Sequence, residues 1–318
     1  MPKPQVTVII TVRNEEATMD SVLNALLTQT RPPAEVVIID SASTDRTVEI
    51  IQHFGQIHPH LPMIVESFRC NRSTGRNRAI ELAHHQLIAI TDAGCLPRPE
   101  WLAELVNHYD AKTRPVVAGY AVGCANSPFQ QALLPYFLVM PDRVTAATYL
   151  PATRSMLIDK TRWEKVGKFN ESLNTSEDYV FAKMLLRYQI PIVFAPKAEV
   201  EWQPPTSLNS IAQTFFSFAA ADIQGGVWRP KVIGLFGRYG AAGVMSAILF
   251  VVGGWPFTLM FIGISGLAYA LWAISKNKRY APQGWFYLPL LQLVADCCVM
   301  SGTIWAVIQK LTQPDQRK

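Results

Sequence analysis

Three kinds of side chain in this sequence stand where they could do chemistry together. Acidic residues close two apolar runs that read as strands, Asp40 in EVVIID and Asp92 in LIAITD. A Glu177-Asp178 pair opens a helical stretch after Thr175 and Ser176, and Thr11, Arg13 and Glu15 gather at the end of the first apolar run. Arg76 and Arg78 lie in the helical stretch that precedes LIAITD, with Arg72 as a further basic residue. Carboxylates in such places can take a proton from a hydroxyl or hold a hard cation, and guanidinium groups can neutralise a departing phosphate. Each has an ordinary structural alternative. Asp40 could cap the helix after it, Asp92 could serve a turn before Gly94, and the acidic pair could be favourable charge in a first helical turn.

An alternation of strands and helices could position these groups. VTVIITV is a continuous β-branched run, Thr18 to Thr28 carries apolar residues at helical spacing, and EVVIID is a second buried strand. Thr44 to Phe54 continues helically, MIVES reads as a third strand, Gly75 to His84 as a helix, and LIAITD as a fourth strand. This pattern predicts an α/β fold with a mostly parallel sheet covered by helices on both faces. Ligands of such sheets bind at the carboxyl ends of the strands, where Arg13, Asn14, Glu15, Asp40 and Asp92 all fall. From Pro115 to Lys160 the pattern weakens into short strands and Gly-containing turns, a place for an acceptor site to vary. Leu173 to Tyr188 resumes as a helix, followed by two strand-like pieces, PIVFAP and AEVEW.

The rest of the chain is of another kind. Ile233 to Val252, Phe257 to Ile274 and Trp285 to Val307 each approach the ~20 apolar residues that cross a bilayer. The Gly253-Gly254-Trp255-Pro256 break divides the first two into a hairpin. Lys276, Lys278 and Arg279 then share a side with Arg229 and Lys231, which favours an integral membrane protein with its N-terminal domain in the cytosol. A third span would leave Lys310 on the opposite side, so two spans is the alternative to three. The expected boundaries are a catalytic domain over 1–205, an amphipathic interfacial linker over 206–231, membrane helices over 232–310 and a polar tail over 311–318. The linker helix, with Phe215, Phe216 and Phe218, has a packed helix as its equal alternative. Arg238 and Asp296 fall inside apolar segments, where charge is expensive and marks a lipid or substrate contact; snorkelling explains Arg238 equally well.

Composition removes several classes. The net charge of +5 is spread along the chain, without the basic stripe of a nucleic-acid binder, so no nucleic-acid partner is expected. Five cysteines form no Cys-x-x-Cys and read as reduced and buried, and six histidines show no metal-ligand spacing. Ser43 and Ser155 have no identifiable His and Asp partners, which leaves serine-nucleophile chemistry unsupported.

In order and spacing, VIITVRNEE, EVVIIDSASTDRT, GRNRAIELAHHQLIAITDAGC and TSEDYVFAKMLLR resemble the signature of the family 2 glycosyltransferases, over roughly Val6 to Trp202. The resemblance implies a GT-A fold, Rossmann-like, and transfer of a sugar from a nucleotide-diphosphate sugar with inversion. It matches Thr11, Arg13 and Glu15 to the first nucleotide-binding loop, Asp40 to the nucleobase contact and Arg76 to the segment leading into the donor site. It makes Asp92 the first carboxylate of an Asp-x-Asp motif holding Mg²⁺ or Mn²⁺ on the diphosphate, and Asp178 the catalytic base of the Glu-Asp pair, with Glu177 among the nucleotide-sugar-binding residues. Two departures bear on the cation: Gly94 stands at the third position of Asp-x-Asp, and Trp202 or Gln203 replaces a strand-end histidine. The Gln-x-x-Arg-Trp motif of processive synthases is missing, since Gln224 to Arg229 reads QGGVWR, and a single transfer is expected. The apolar tail makes a lipid-linked acceptor attractive. The alternatives are a nucleotidyltransferase and a nucleotide-sugar-binding membrane protein without activity.

Overall fold

The structure is a computed structural model describing residues 4–312. The chain divides into two units, one formed by Met1–Cys124 with Leu138–Gln203, the other by Ala125–Phe137 with Pro204–Lys318.

The first unit is built on eight strands: β1 (Val6–Val12), β2 (Glu35–Asp40), β3 (Met63–Ser67), β4 (Leu87–Ile90), β5 (Cys95–Pro97), β6 (Val116–Gly123), β7 (Met156–Asp159) and β8 (Ile192–Trp202). They order as β3-β2-β1-β4-β7-β6-β8-β5. The pairs among β1 to β4 are parallel, as is β6 with β8; β7 runs antiparallel to β4 and β6, and β5 to β8. The mostly parallel expectation therefore holds for the β1–β4 half, and the other half is mixed. PIVFAP and AEVEW merge into β8, whose register against β6 shifts between Ala118 and Tyr120.

Strand periodicity assigns each side chain to a face. Val8 and Ile10 of β1, with Val36 and Ile38 of β2, pack under α1 (Met19–Leu27) and α2 (Thr47–Ile57). Ile9, Val37, Ile39, Ile88 and Ile90 face the other way, onto α3 (Arg72–Leu82) and its neighbours. All six residues of β2 are buried, and fully burying one such Val or Ile contributes about 1.5–3 kcal/mol. Helix α3 lies so close to the sheet that a Cβ on Gly75 would stand 3.0 Å from Thr11 Cγ2. The unit is completed by α4 (Trp101–His108), before β6, and by the helices that follow β7. Among the described residues all five cysteines are free; only Cys95 is buried and Cys297 is exposed, which corrects the expectation that all are buried.

The second unit is helical: α5 (Pro128–Phe137), then, beyond α6 (Lys160–Lys165) and α7 (Glu177–Arg187) of the first unit, α8 (Leu208–Gln224), α9 (Pro230–Asn277) and α10 (Leu288–Thr312). Helix α8 spends its apolar face on α10: Gly302 has no room for a Cβ against the Phe216 carbonyl, and Ala220 and Ile223 pack with Ala306. These contacts favour the packed alternative for part of this helix, while Phe216 and Phe218 stay partly exposed. Helix α9 breaks at Gly254, with φ 72° and ψ −167°, and Pro256 follows. Its arms fold back on each other, since the Tyr239 and Tyr269 hydroxyls lie 3.5 Å apart. Each arm has about two dozen residues, roughly 35 Å of helix, against the ~30 Å of a bilayer core. Both long helices, α9 and α10, are long and apolar enough to cross a membrane. Val251 at 83% and Val252 at 81% exposure lie at the turn of the hairpin.

Candidate active site

The carboxyl ends of β1 and β4 are neighbours at the point where strand order reverses, and a crevice opens there. The cleft has a volume of about 610 Å³, walled by Thr11 and Val12 at the end of β1 with Arg13 and Glu15 after it, Asn71, Arg72 and Arg76 of α3 and its cap, and Asp92 and Gly94 after β4, with Trp202 at the end of β8.

Face parity decides which of the expected residues reach it. Asp92 continues the face of Ile88 and Ile90, toward α3. There Arg76, 2% exposed, donates from Nη2 to Asp92 Oδ1 at 2.7 Å and from Nη1 to Glu177 Oε1 at the start of α7. One guanidinium therefore ties three elements together, with the Phe169 ring 5.9 Å from it. Burial works against the charge on Asp92, but Arg76, with Arg154 and Arg72, outweighs it and holds this carboxyl below its usual range. The second oxygen of Glu177 and the Nε of Arg76 are buried without a partner.

Asp178, next along α7, is half-buried and accepts from the Tyr179 N–H at 2.7 Å. Burial and the neighbouring Glu177 charge push its carboxyl above the ordinary aspartate range, against the pull of Arg76 and Arg154. Ser176 before the pair holds the left-handed conformation, φ 57°, and sets the angle at which α7 begins.

Asp40 is not brought to the cleft. It continues the Val36–Ile38 face, is wholly buried, and accepts hydrogen bonds from Ser43 and from Ser67, its partner in register on β3. Ser41 reaches the cleft in its place and donates to the Cys70 carbonyl. Asn14 ties the first two loops, its Oδ1 accepting from the Thr44 N–H at 2.8 Å and its own N–H donating to Ser43 Oγ at 2.8 Å. Arg78 is likewise engaged elsewhere, in a two-pronged pair with Glu66 at 2.7 and 2.8 Å.

Two features were beyond motif reading. Arg154, in the loop before β7, lies 4.7 Å from the Trp202 ring and close enough to Asp92 and Asp178 for its charge to act on both. No signature surrounds it. The N-terminus of α3, capped by Asn71 Oδ1 accepting from the Thr74 N–H at 2.9 Å, opens on the cleft and suits an anion; only a Cys-Asn-Arg-Ser run marks it in sequence.

A cation would find one hard protein oxygen here. Asp92 is ionised and only Oδ1 is taken by Arg76, which leaves Oδ2 for a metal. Gly94 adds no ligand, although nothing lies within 4 Å of where its Cβ would be. Among the described residues no three His, Cys, Asp or Glu side chains converge on a metal position. The donor set fits a hard ion such as Mg²⁺ that takes its remaining oxygens from a diphosphate and water.

The model of glycosyl transferase family 2 matches residues 7–171, just over half of the chain, and takes in β1 to β4, α3 and Asp92. The chain belongs to that family. Among relatives of this glycosyltransferase, glycosyltransferase AglE of Haloferax volcanii is 35% identical over 101 residues, 31% of this chain and 33% of the relative. The β-monoglucosyldiacylglycerol synthase of a Synechocystis species is 24% identical over 214 residues, 63% of this chain and 44% of the relative. The first of these matches spans about a third of its relative's length. Solved structures share the GT-A fold. The mannosyltransferase PcManGT of Pyrobaculum calidifontis, in complex with GDP-Man and Mn²⁺, superposes with TM-score 0.64 at 20% identity over 94% of this chain and 87% of its own. TarS 1-349 of S. aureus with UDP-GlcNAc gives TM-score 0.52 at 15% identity over 99% and 93%.

Proposed function

We propose that this glycosyltransferase moves one sugar from a nucleotide-diphosphate sugar to a hydroxyl or phosphate of a membrane lipid, with inversion, on the cytosolic face. The observation that carries the reading is the Arg76 clamp, which holds Asp92, with one oxygen left for a cation, on the cleft wall and ties it to Glu177, the residue before Asp178, whose carboxyl has a raised proton affinity.

The nucleotide lies along the Thr11–Glu15 loop, with Ser41 where Asp40 was expected. The diphosphate meets Arg72 and the N-terminal end of α3. Asp92 would hold the divalent cation, Mg²⁺ or Mn²⁺, which when bound neutralises charge on the leaving group. Arg76 acts here by holding Asp92 and Glu177 in place, since both its terminal nitrogens are spent on them. Asp178 takes the acceptor proton; the acceptor oxygen bonds to the anomeric carbon as the bond to the diphosphate oxygen breaks, and the nucleoside diphosphate leaves with the electron pair. One displacement inverts the centre. A proton affinity raised toward working pH is what a base needs, and burial with Glu177 supplies it.

The lipid acceptor and the membrane setting are supported by the two long apolar helices, by basic residues at both ends of the α9 hairpin, and by a relative named as the synthase of a glucosyldiacylglycerol. The test is transfer by detergent-purified protein from UDP-, GDP- and dTDP-sugars to membrane lipid extract, with Mg²⁺, Mn²⁺ or EDTA. Transfer to lipid by the wild type, reduced at least ~10²-fold in Asp178→Asn with donor binding kept, supports the scheme. Full activity of Asp178→Asn removes the assigned base; release of pyrophosphate instead of nucleoside diphosphate overturns sugar transfer itself.

A further inference from the structure

The helical unit contains a polar cluster that catalysis does not use. Asp296 of α10, 7% exposed at its side chain, accepts from the hydroxyls of Tyr269 at 2.8 Å and Tyr239 at 3.1 Å, from Gln292 Nε2 at 2.8 Å, and from Arg238 Nη2. The Arg238 guanidinium stands 5.0 Å from the Trp272 ring, 5.3 Å from Tyr239 and 5.4 Å from Tyr269. Lys276 Nζ is also 5.0 Å from Trp272 and bonds Gln292 Oε1 at 3.3 Å. Both arms of α9 thus meet α10 around two cations and one carboxylate.

Two properties distinguish this from an internal brace. Arg238 is 40% exposed at its side chain, and among the described residues only its Nη2 donates to a protein acceptor. A guanidinium carries five N–H donors in a fixed fork, so most of those of Arg238 are left without a protein acceptor among the described residues. The cluster is also shallow. Arg238 is about 12 Å along the helix from Pro230 at 1.5 Å per residue, and Trp272 and Lys276 lie within two turns of Asn277 at the other end of the hairpin. The length of an arginine side chain covers much of that depth.

We infer that Arg238, held by Asp296 and flanked by Trp272 and Lys276, is a binding site for the phosphate of one anionic lipid. The inference rests on the membrane reading above. Asp296 and the two tyrosines fix the guanidinium; the fork takes phosphate oxygens bidentately, and Lys276 adds charge toward the bilayer surface. A phosphate lipid so held is anchored to the hairpin by its head while its chains run along the exposed arms.

The test uses the full chain. Cell membranes are first washed with alkaline carbonate; release of the protein would defeat the membrane reading and this inference with it, whereas retention isolates the next step. The detergent-purified protein is then examined by native mass spectrometry with dioleoyl phosphatidic acid, with dioleoylglycerol, and with inorganic phosphate as competitor. One phosphatidic acid should be retained and dioleoylglycerol should not. The double variant Arg238→Met/Asp296→Met, which removes the pair together so that no lone charge is buried, should bind phosphatidic acid roughly tenfold more weakly or worse, with hydrolysis of the donor unchanged. Arg238→Lys should fall between. Equal retention of phosphatidic acid by the double variant, equal retention of dioleoylglycerol, or displacement by millimolar inorganic phosphate would each overturn a lipid-phosphate site. If the double variant does not fold, wild-type selectivity for phosphatidic acid over dioleoylglycerol and the graded loss in Arg238→Lys decide the matter.

Discussion

Two arginines, each paired with acid, organise the two units in opposite ways. Arg76 is 2% exposed and spends both terminal nitrogens on two carboxylates from different elements; Arg238 is half-exposed, meets one carboxylate and leans on three aromatic rings. The first is a fastener whose charge is consumed within the protein. The second is fastened by its neighbours and keeps donors to offer. Burial and the count of acids around an arginine, more than the presence of an ion pair, separate holding from binding.

The largest effect expected from this contrast is on stability. Arg76→Met leaves Asp92 and Glu177 without their cation and should cost about 3–5 kcal/mol in denaturant unfolding, whereas the double variant Arg238→Met/Asp296→Met, which removes its pair together, should cost about 1–2 kcal/mol at most. Similar losses at the two positions would collapse the distinction. Next is the pH profile. Asp178 must be ionised to act, so kcat/KM should fall on the acid side at a pH above the ordinary aspartate value near 4. Glu177→Gln removes the charge that raises Asp178, and the acid limb should move to lower pH; an unmoved limb would assign it to another group.

Packing supplies a smaller effect. Gly75→Ala drives a Cβ to 3.0 Å from Thr11 Cγ2 and should cost about 1–3 kcal/mol while loosening Arg76. Gly94→Asp has open space and would add a second hard oxygen near Asp92; Mn²⁺ binding in the presence of nucleoside diphosphate, read calorimetrically, should tighten by roughly tenfold. Smallest is the acid stability of the clamp. The Asp92 carboxyl is held below its ordinary value, so its contribution is present above about pH 4 and lost as pH falls through the depressed folded value. Asp92→Asn should flatten that part of the stability curve.

Much of this was legible beforehand. MIVES spans the residues of β3, and Thr11, Arg13, Glu15, Arg76 and Asp92 do wall one cleft, because parallel strands deliver their ends to a common edge. Asp40 lies outside the residues that wall the cleft because an end-of-strand position does not reveal a face: β2 and β4 present opposite parity at their last acids, and only the register of β2 with β3 shows Asp40 turned to Ser67. Arg154 was invisible because its partners, Trp202 and two aspartates, are distant in sequence. The apolar face of α8 could not be assigned to lipid or to protein, since periodicity records that a face is apolar and not what covers it.

Ser176 carries a further consequence. A serine held at φ 57° sits in a conformation that costs L-residues about 1–2 kcal/mol, and the two residues after it are Glu177 and Asp178. Glycine would relieve that strain, yet it would also free the joint that aims the acidic pair. The loop from Leu173 to Ser176 is thus a place where gains in robustness and losses in turnover are exchanged one for the other, and selection for heat resistance alone should drift toward a sturdier, slower enzyme there.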